Sequence, residues 1–355
     1  MRMKKNYRAA VLYGAEDLRF EDRPVPEIGP EEALVQVKAC SLCGSDLHAY
    51  HGKHPRIVFP RVLGHEFSGI IFRKGEKLDR WEIGQRVCCD IDLTCGECDL
   101  CREGRRNLCV QLRTQGFDSD GAYAELVKVP GRNLYPLPAK VSFDEASLVQ
   151  TLAVAYNGVK RRGEVKVQDK VLIFGCGPIG LCALAVAKAS GAKAMVTDTL
   201  DYRLGVATEM GADKACNSAI SDLIQSAKEW TGGKGVDKVI ECVGGTQDVT
   251  LNQASQLVKR GGLIVVVGTY GNNRATLRMA EFKDRELELR GSRAYVDAFP
   301  DCLELMASGK LGLGKMITHH FSLAEVEKGL RLMRDKAENV MKVVIHPNFS
   351  AEGKT

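Results

Sequence analysis

Apolar and polar positions along the chain follow two regimes, and the change comes near residue 150. From residue 8 to about 150, apolar residues come in short runs broken by Gly and Pro, as in Ala33-Leu34-Val35-Gln36-Val37 and Ala124-Glu125-Leu126-Val127-Lys128-Val129. Such runs predict short strands in a twisted, mostly antiparallel β region. Residues 147–159 then show helical apolar periodicity, and strands alternate with helices from there on. Val171-Leu172-Ile173-Phe174 is a continuous apolar strand. Residues 179–190 predict a helix with Gly191 as the cap beyond it, and 201–210 a helix closed by Gly211. Strands are expected at 194–197, 236–242 and 263–267. Apolar strands alternating with helices form a parallel sheet covered on both faces. The last stretch predicts amphipathic helices near Leu303 and Val326 and a final strand over 340–345, which returns the chain to the first domain.

A chain of 355 residues is long enough for two domains. The expected division is a discontinuous β-rich domain over 1–150 and 295–355, and a doubly wound α/β domain over 151–294. The net charge is +5, with acidic and basic residues mixed. The one basic cluster, Arg102 with Arg105 and Arg106, lies inside a cysteine-rich segment and reads as a solvated face, so no nucleic-acid partner is expected. The charged start Met1-Arg2-Met3-Lys4-Lys5 is followed by no apolar stretch, and no window reaches the roughly 18 apolar residues of a membrane helix. A cytoplasmic protein with no membrane partner is the expectation. Thirteen cysteines, an odd number, then stay reduced, and clustered cysteines point to metal.

Gly175-Cys176-Gly177-Pro178-Ile179-Gly180 matches G-x-G-x-x-G between an expected strand and an expected helix, the context that lifts this pattern above a chance glycine turn. Gly175 allows the tight turn, Gly177 the approach of a pyrophosphate, and Gly180 close helix–strand packing. The helix start offers free N–H groups to phosphate. Asp198, at the end of the next strand, is placed to accept hydrogen bonds from both ribose hydroxyls and to repel a 2′-phosphate, favouring NAD over NADP. The plainer alternative makes Asp198 a helix cap. Arg203 can flank the adenosine or be a surface arginine. Val243, Val267, Gly268 and Thr269, at the ends of the later strands, complete the expected cofactor-binding set.

Cys95, Cys98, Cys101 and Cys109 form C-x2-C-x2-C-x7-C. Two-residue spacers let successive thiolates turn onto one tetrahedral Zn²⁺, and four ligands close the shell, so this site is structural. An iron–sulfur cluster is the competing reading. Upstream, Cys43 begins Cys43-Gly44-Ser45-Asp46-Leu47-His48, and His65 and Glu66 sit in Gly64-His65-Glu66-Phe67. Cys, His and carboxylate suit a zinc with a position left for water or substrate. Any one of these residues alone is more often packing than ligand; the group is informative together.

These motifs, in this order, resemble the zinc-containing medium-chain alcohol dehydrogenases, with sorbitol, threonine and galactitol-phosphate dehydrogenases as the nearest types. The resemblance covers about residues 8–346. It implies a GroES-like catalytic domain beside a Rossmann domain, with a cleft between them, and one catalytic and one structural zinc per chain. It makes Cys43 and His65 catalytic-zinc ligands, with Glu66 bound to the metal or standing just behind it. Ser45 carries the alcohol proton away, His48 passes it towards solvent, and Asp46 orients His65. One departure matters: where polyol and threonine types carry a glutamate near the zinc, this chain has the neutral Gln150, whose amide oxygen can still bind. The implied activity is NAD-linked oxidation of a secondary alcohol, polyol or sugar-like, to a ketone. Threonine, a simple alcohol, or a glucose-dehydrogenase-like substrate is the alternative. A non-catalytic nucleotide sensor predicts loss of Cys43 or His65, and a zinc-free quinone reductase predicts loss of the cysteine lobe; all are present. Relatives form dimers or tetramers, commonly through a strand matching Leu287-Glu288-Leu289-Arg290, so a homo-oligomer is expected.

Overall fold

The computed structural model describes residues 5–245, 247–269 and 274–347. The chain forms two compact units. One holds Met1–Gln150, Phe299–Ala307 and Ile317–Thr355; the other holds Thr151–Ala298 and Ser308–Met316.

The first unit is built on β-sheet. Strand Asn6–Gly14 pairs antiparallel with Asp17–Pro24 and Arg61–Val62. A larger sheet runs in the order Leu134–Pro136, Arg86–Cys89, Glu66–Lys74, Glu32–Ser41, Lys342–His346 and Ile317–Ser322, with Leu126–Pro130 also pairing Glu32–Ser41. Its pairs are antiparallel except the last, where Ile317–Ser322 runs parallel to Lys342–His346. Strand Glu32–Ser41 is apolar almost throughout because both faces are covered: Leu34, Val35, Val37 and Cys40 all join the core with Leu12, Tyr50, Phe67 and Ile71. Helix Val326–Asp335 lays Val326 and Leu330 on that core.

The second unit carries a six-stranded sheet with every pair parallel, ordered Lys214–Asn217, Lys193–Asp198, Lys170–Phe174, Val236–Glu241, Val258–Val266, Glu288–Gly291. The order reverses direction at Lys170–Phe174, and the carboxyl ends of the strands beside such a switch point are where α/β sheets bind ligands. Helix Pro178–Ala189 is apolar nearly all round, which matches its burial from Gly180 to Ala187. Helix Leu223–Thr231 starts at an Asp222 cap, whose side chain accepts from Gln225 N, and stops at left-handed Gly232.

Two expectations differ from the structure. The helix expected over 147–159 is broken: Phe143–Ser147 ends at Leu148, Val149–Tyr156 follows, and Asn157–Arg162 is a π-helical turn. Tertiary bonds hold the wider turn, since the buried Asn157 amide donates to Ser292 Oγ at 3.1 Å. The return to the first unit, expected at residue 295, begins at Phe299, and Ser308–Met316 goes back to the parallel-sheet unit. Burial of Leu311, Leu313 and Met316 accounts for this, with Lys315 Nζ donating to the Glu209 carbonyl at 2.6 Å. Among the described residues no helix is long and apolar enough to cross a membrane.

Candidate active site

Cys43 caps the seven-residue helix Gly44–Tyr50 that leaves strand Glu32–Ser41. The cap works in both directions: the Cys43 backbone N–H donates to Asp46 Oδ2 at 3.0 Å, which fixes the Asp46 side chain beneath the first turn. Tyr123 OH donates to the same oxygen at 2.7 Å. The other oxygen, Oδ1, meets His65 Nδ1 at 3.2 Å. An imidazole held at Nδ1 by a carboxylate presents Nε2 as the free ligand atom, the arrangement metal-bound histidines adopt. Ser45 Oγ lies on that side, 3.4 Å from His65 Nε2, and donates to Cys43 Sγ at 3.1 Å. His48, three residues after Ser45 and on the same helix face, is exposed.

Asp46 and His65 are both buried, and their charges support each other. Burial acts to raise Asp46, but the His65 charge, with hydrogen bonds from His65, Tyr123 and the Cys43 N–H, holds it below the usual carboxylate range. Burial acts to lower His65, but Asp46 and Cys43, by charge and by hydrogen bonding, lift it well above an ordinary histidine. A Cys43 sulfur, a His65 ring nitrogen and a Glu66 carboxylate oxygen lie within 4.8 Å of one another. One thiol, one imidazole and one carboxylate in that space fit Zn²⁺.

Glu66 is committed elsewhere as well. Its Oε2 accepts from Ser41 Oγ and pairs with Lys342 Nζ, and neither Glu66 nor Lys342 is exposed by more than 2%. Gln150 lies in the first turn of helix Val149–Tyr156 and is half-buried.

The four cysteines of the lobe converge, their sulfurs all within 4.8 Å of one another. Cys95 Sγ is 3.9 Å from Cys101 Sγ and 3.5 Å from Cys109 Sγ. Thiolates on a tetrahedral zinc, with bonds near 2.3 Å, sit about 3.7 Å apart. Backbone N–H groups of Val110 and Cys101 draw the Cys98 thiol down to about 6, while burial pushes Cys101 up to about 12, so the sulfurs share protons that a bound metal would displace. All thirteen cysteines are free thiols.

In the parallel-sheet unit the glycine turn is built as its motif demands. Gly175 has φ 87°, and a Cβ on Gly180 would stand 1.8 Å from the Gly175 carbonyl oxygen. Gly177 caps the helix with Pro178 and Ile179 in its first turn, and a Cβ there would meet nothing nearer than Arg203 Nη1 at 3.9 Å. Asp198 is anchored by the backbone: Oδ2 accepts from Cys176 N at 2.7 Å, and Oδ1 from Thr199 N and Leu200 N at 2.8 and 3.1 Å. It therefore ties the end of its strand to the glycine turn, and does not cap as Ser or Asp at a helix start does; Leu200 holds that position. Arg203 Nη1 stands 3.7 Å from Asp198 Oδ2. Val243, Val267 and Gly268 gather at one carboxylate and carbonyl: Val243 N donates to Glu241 Oε1, and Val267 N and Gly268 N to Glu241 O. The Thr269 carbonyl closes the group by accepting from Gly245 N.

Five contributors carry no motif in the sequence. Tyr123 and Phe117 reach Asp46 and the His65 ring from a segment far along the chain, the Phe117 and His65 centroids 4.8 Å apart. No local spacing marks either. Ser41 and Lys342 meet Glu66 across the sheet. Lys342 carries one signal, a lone charge in an apolar strand. Glu241, buried at the end of a central strand, is the fifth; burial pushes its carboxyl up to about 7.

Comparison with known proteins matches two families in succession along the chain. The alcohol dehydrogenase GroES-like domain family matches residues 29–139, and the zinc-binding dehydrogenase family matches residues 178–308. A sorbitol dehydrogenase of Bacillus subtilis (strain 168) is 33% identical over 351 residues, covering 97% of this chain and 98% of the relative. An L-threonine 3-dehydrogenase of Bacillus licheniformis is 34% identical over 321 residues, 89% of this chain and 92% of its own. Among solved structures, a zinc-binding dehydrogenase from Sinorhizobium meliloti 1021 bound to NADP superposes with a TM-score of 0.91 at 30% identity, covering 97% of this chain and 100% of that one.

Proposed function

This chain belongs to the zinc-containing medium-chain alcohol dehydrogenase family, and from that premise we propose that it oxidises a secondary alcohol of polyol or sugar-like type to the ketone, with NAD as hydride acceptor. At the coarser level it is an oxidoreductase acting on the CH–OH group of a small molecule. The observation that carries the reading is the meeting of Cys43, His65 and Glu66 within 4.8 Å, with Ser45 Oγ beside the first two.

Cys43 and His65, with Glu66 or Gln150 as a further donor, would hold a zinc ion, which when bound would supply Lewis acidity that lowers the pKa of an alcohol oxygen. Asp46 keeps the His65 ring turned so that Nε2 faces Cys43. Ser45 Oγ would accept the substrate hydroxyl proton as it releases its own, and exposed His48, on the same helix face, would pass the released proton to solvent. On the nucleotide side Asp198 Oδ2, which accepts a single backbone N–H where Oδ1 accepts two, is the oxygen left to accept from the ribose hydroxyls, while Gly177 lets phosphate approach the start of helix Pro178–Ala189.

A second reading, NADP as the coenzyme, is favoured by one observation: Arg203 Nη1 lies beside Asp198 Oδ2, within reach of a ribose substituent. The test is steady-state kinetics with both coenzymes against polyols, threonine and short alcohols. A preference for NAD, highest kcat/KM on a polyol, and loss of turnover with retained NAD binding in Cys43→Ala are expected. Full activity in Cys43→Ala sinks the zinc assignment; tenfold preference for NADP sinks the coenzyme assignment.

A further inference from the structure

We propose that Asp144, His320 and His346 form a further metal site, distinct from the Cys43–His65 group and the cysteine lobe, that takes Zn²⁺ or a similar borderline divalent cation. The site is assembled by the fold. His320 lies on Ile317–Ser322 and His346 ends Lys342–His346. The two strands are parallel, with His320 opposite Val344 and Ser322 opposite His346. Val344 and His346 are two residues apart on one strand, so both histidines project from the same sheet face. Asp144 comes from the first turn of helix Phe143–Ser147.

The distances match a coordination shell. His320 Nδ1 is 3.1 Å from His346 Nε2, and the two Asp144 oxygens stand 3.6 Å from them, Oδ2 from His320 Nδ1 and Oδ1 from His346 Nε2. Ligand atoms about 2.0–2.1 Å from a tetrahedral zinc lie about 3.3 Å apart. The two ring nitrogens and the carboxylate therefore already span one face of the polyhedron. At 3.6 Å the carboxylate is too far to hydrogen-bond either ring directly. A cation between the three groups would engage the carboxylate and both ring nitrogens at once.

His346 is also held as a ligand is held. Its Nδ1 faces the Lys38 carbonyl at 3.2 Å, so Nδ1–H donates there and the Nε2 lone pair points at the site. In the metal-free chain His320 Nδ1–H donates to that lone pair. On binding, the His320 proton moves to its other ring nitrogen, which solvent can reach because the side chain is 47% exposed. Two neutral imidazoles and one carboxylate leave the ion with a net charge of one and a position open to water. Imidazole with a single carboxylate selects zinc, nickel or cobalt over magnesium and calcium. The bound ion staples the helix just ahead of Gln150 to the strand that carries Lys342, so its effect is on rigidity and not on chemistry.

The test is calorimetric titration of the purified zinc-loaded enzyme with ZnCl₂, together with metal analysis before and after. Wild type is expected to take up one exchangeable equivalent beyond the metal it retains, and its melting temperature rises with added zinc. His320→Asn and His346→Asn lose that equivalent and the rise in melting temperature, Asp144→Asn weakens binding at least about tenfold, and all three keep the retained zinc and their turnover. Titration with Co²⁺ adds a readout, since absorption from this site lacks the intense thiolate band of the cysteine sites. No additional equivalent in wild type, or equal uptake by wild type and His320→Asn, overturns the proposal.

Discussion

Lys342 Nζ is ion-paired with Glu66 Oε2 although the two residues sit on different strands, and both side chains are buried. The strand between them, Glu32–Ser41, supplies Ser41, whose hydroxyl donates to the same oxygen. The negative charge that Glu66 brings beside Cys43 and His65 is therefore offset from behind. Removing one partner of a buried pair strands the other charge and costs about 3–5 kcal/mol. Lys342→Met is expected to destabilise the first unit by that order, and Lys342→Met with Glu66→Gln by clearly less than the sum of the single changes. Denaturant titrations of the four proteins in a double-mutant cycle measure the coupling.

Glu241 makes stability depend on pH. Its carboxyl sits at about 7 because it is buried, against the partial relief of the Val243 N–H and the Thr250 hydroxyl. Its Oε2 has no hydrogen-bond partner among the described residues. Between its ordinary range and about 7 the folded chain keeps a proton that the unfolded chain has lost, so stability falls as pH rises through this window and levels off above it. The decline attributable to this group is about 3 kcal/mol. Glu241→Gln keeps the shape and the accepting oxygen without the charge. Urea melts at about pH 5, 6, 7 and 8 without added nucleotide are expected to show a flatter profile and, at the alkaline end, greater stability than wild type.

Gly180 leaves no space for a side chain. A Cβ placed there collides with the Gly175 carbonyl, a backbone atom that cannot rotate away. Gly180→Ala must move either the turn or the helix, at a cost of about 1–3 kcal/mol. The measurable outcome is weaker nucleotide binding, read by NADH fluorescence titration, with a lowered melting temperature. Unchanged affinity contradicts the role given to the turn.

The cysteine lobe carries its own prediction. Cys101→Ser removes one of four converging sulfurs, so metal analysis is expected to show one zinc fewer per chain while NADH binding by the parallel-sheet unit persists. Iron in the purified wild-type protein contradicts the zinc assignment.

Features encoded over a few adjacent residues are legible in the amino-acid sequence by itself. The glycine turn with Asp198 at the next strand end, the four cysteines at C-x2-C-x2-C-x7-C, and the Cys43-Gly44-Ser45-Asp46 run all act through local geometry, because a tight turn or a helix cap places its own neighbours. The strand–helix alternation beyond residue 150 announces a parallel sheet for the same reason: each element declares its buried faces in its own periodicity. What only the tertiary structure decides are the meetings between distant segments. Lys342 on Glu66, Tyr123 on Asp46, and Asp144 with His320 and His346 depend on strand register and on which helix crosses which sheet. The π-helical turn at Asn157 and the passage of Ser308–Met316 to the parallel-sheet unit belong with them. A strand of apolar residues pairs equally well with several partners, and the selection is made by packing summed over the whole core, which no short window of sequence contains.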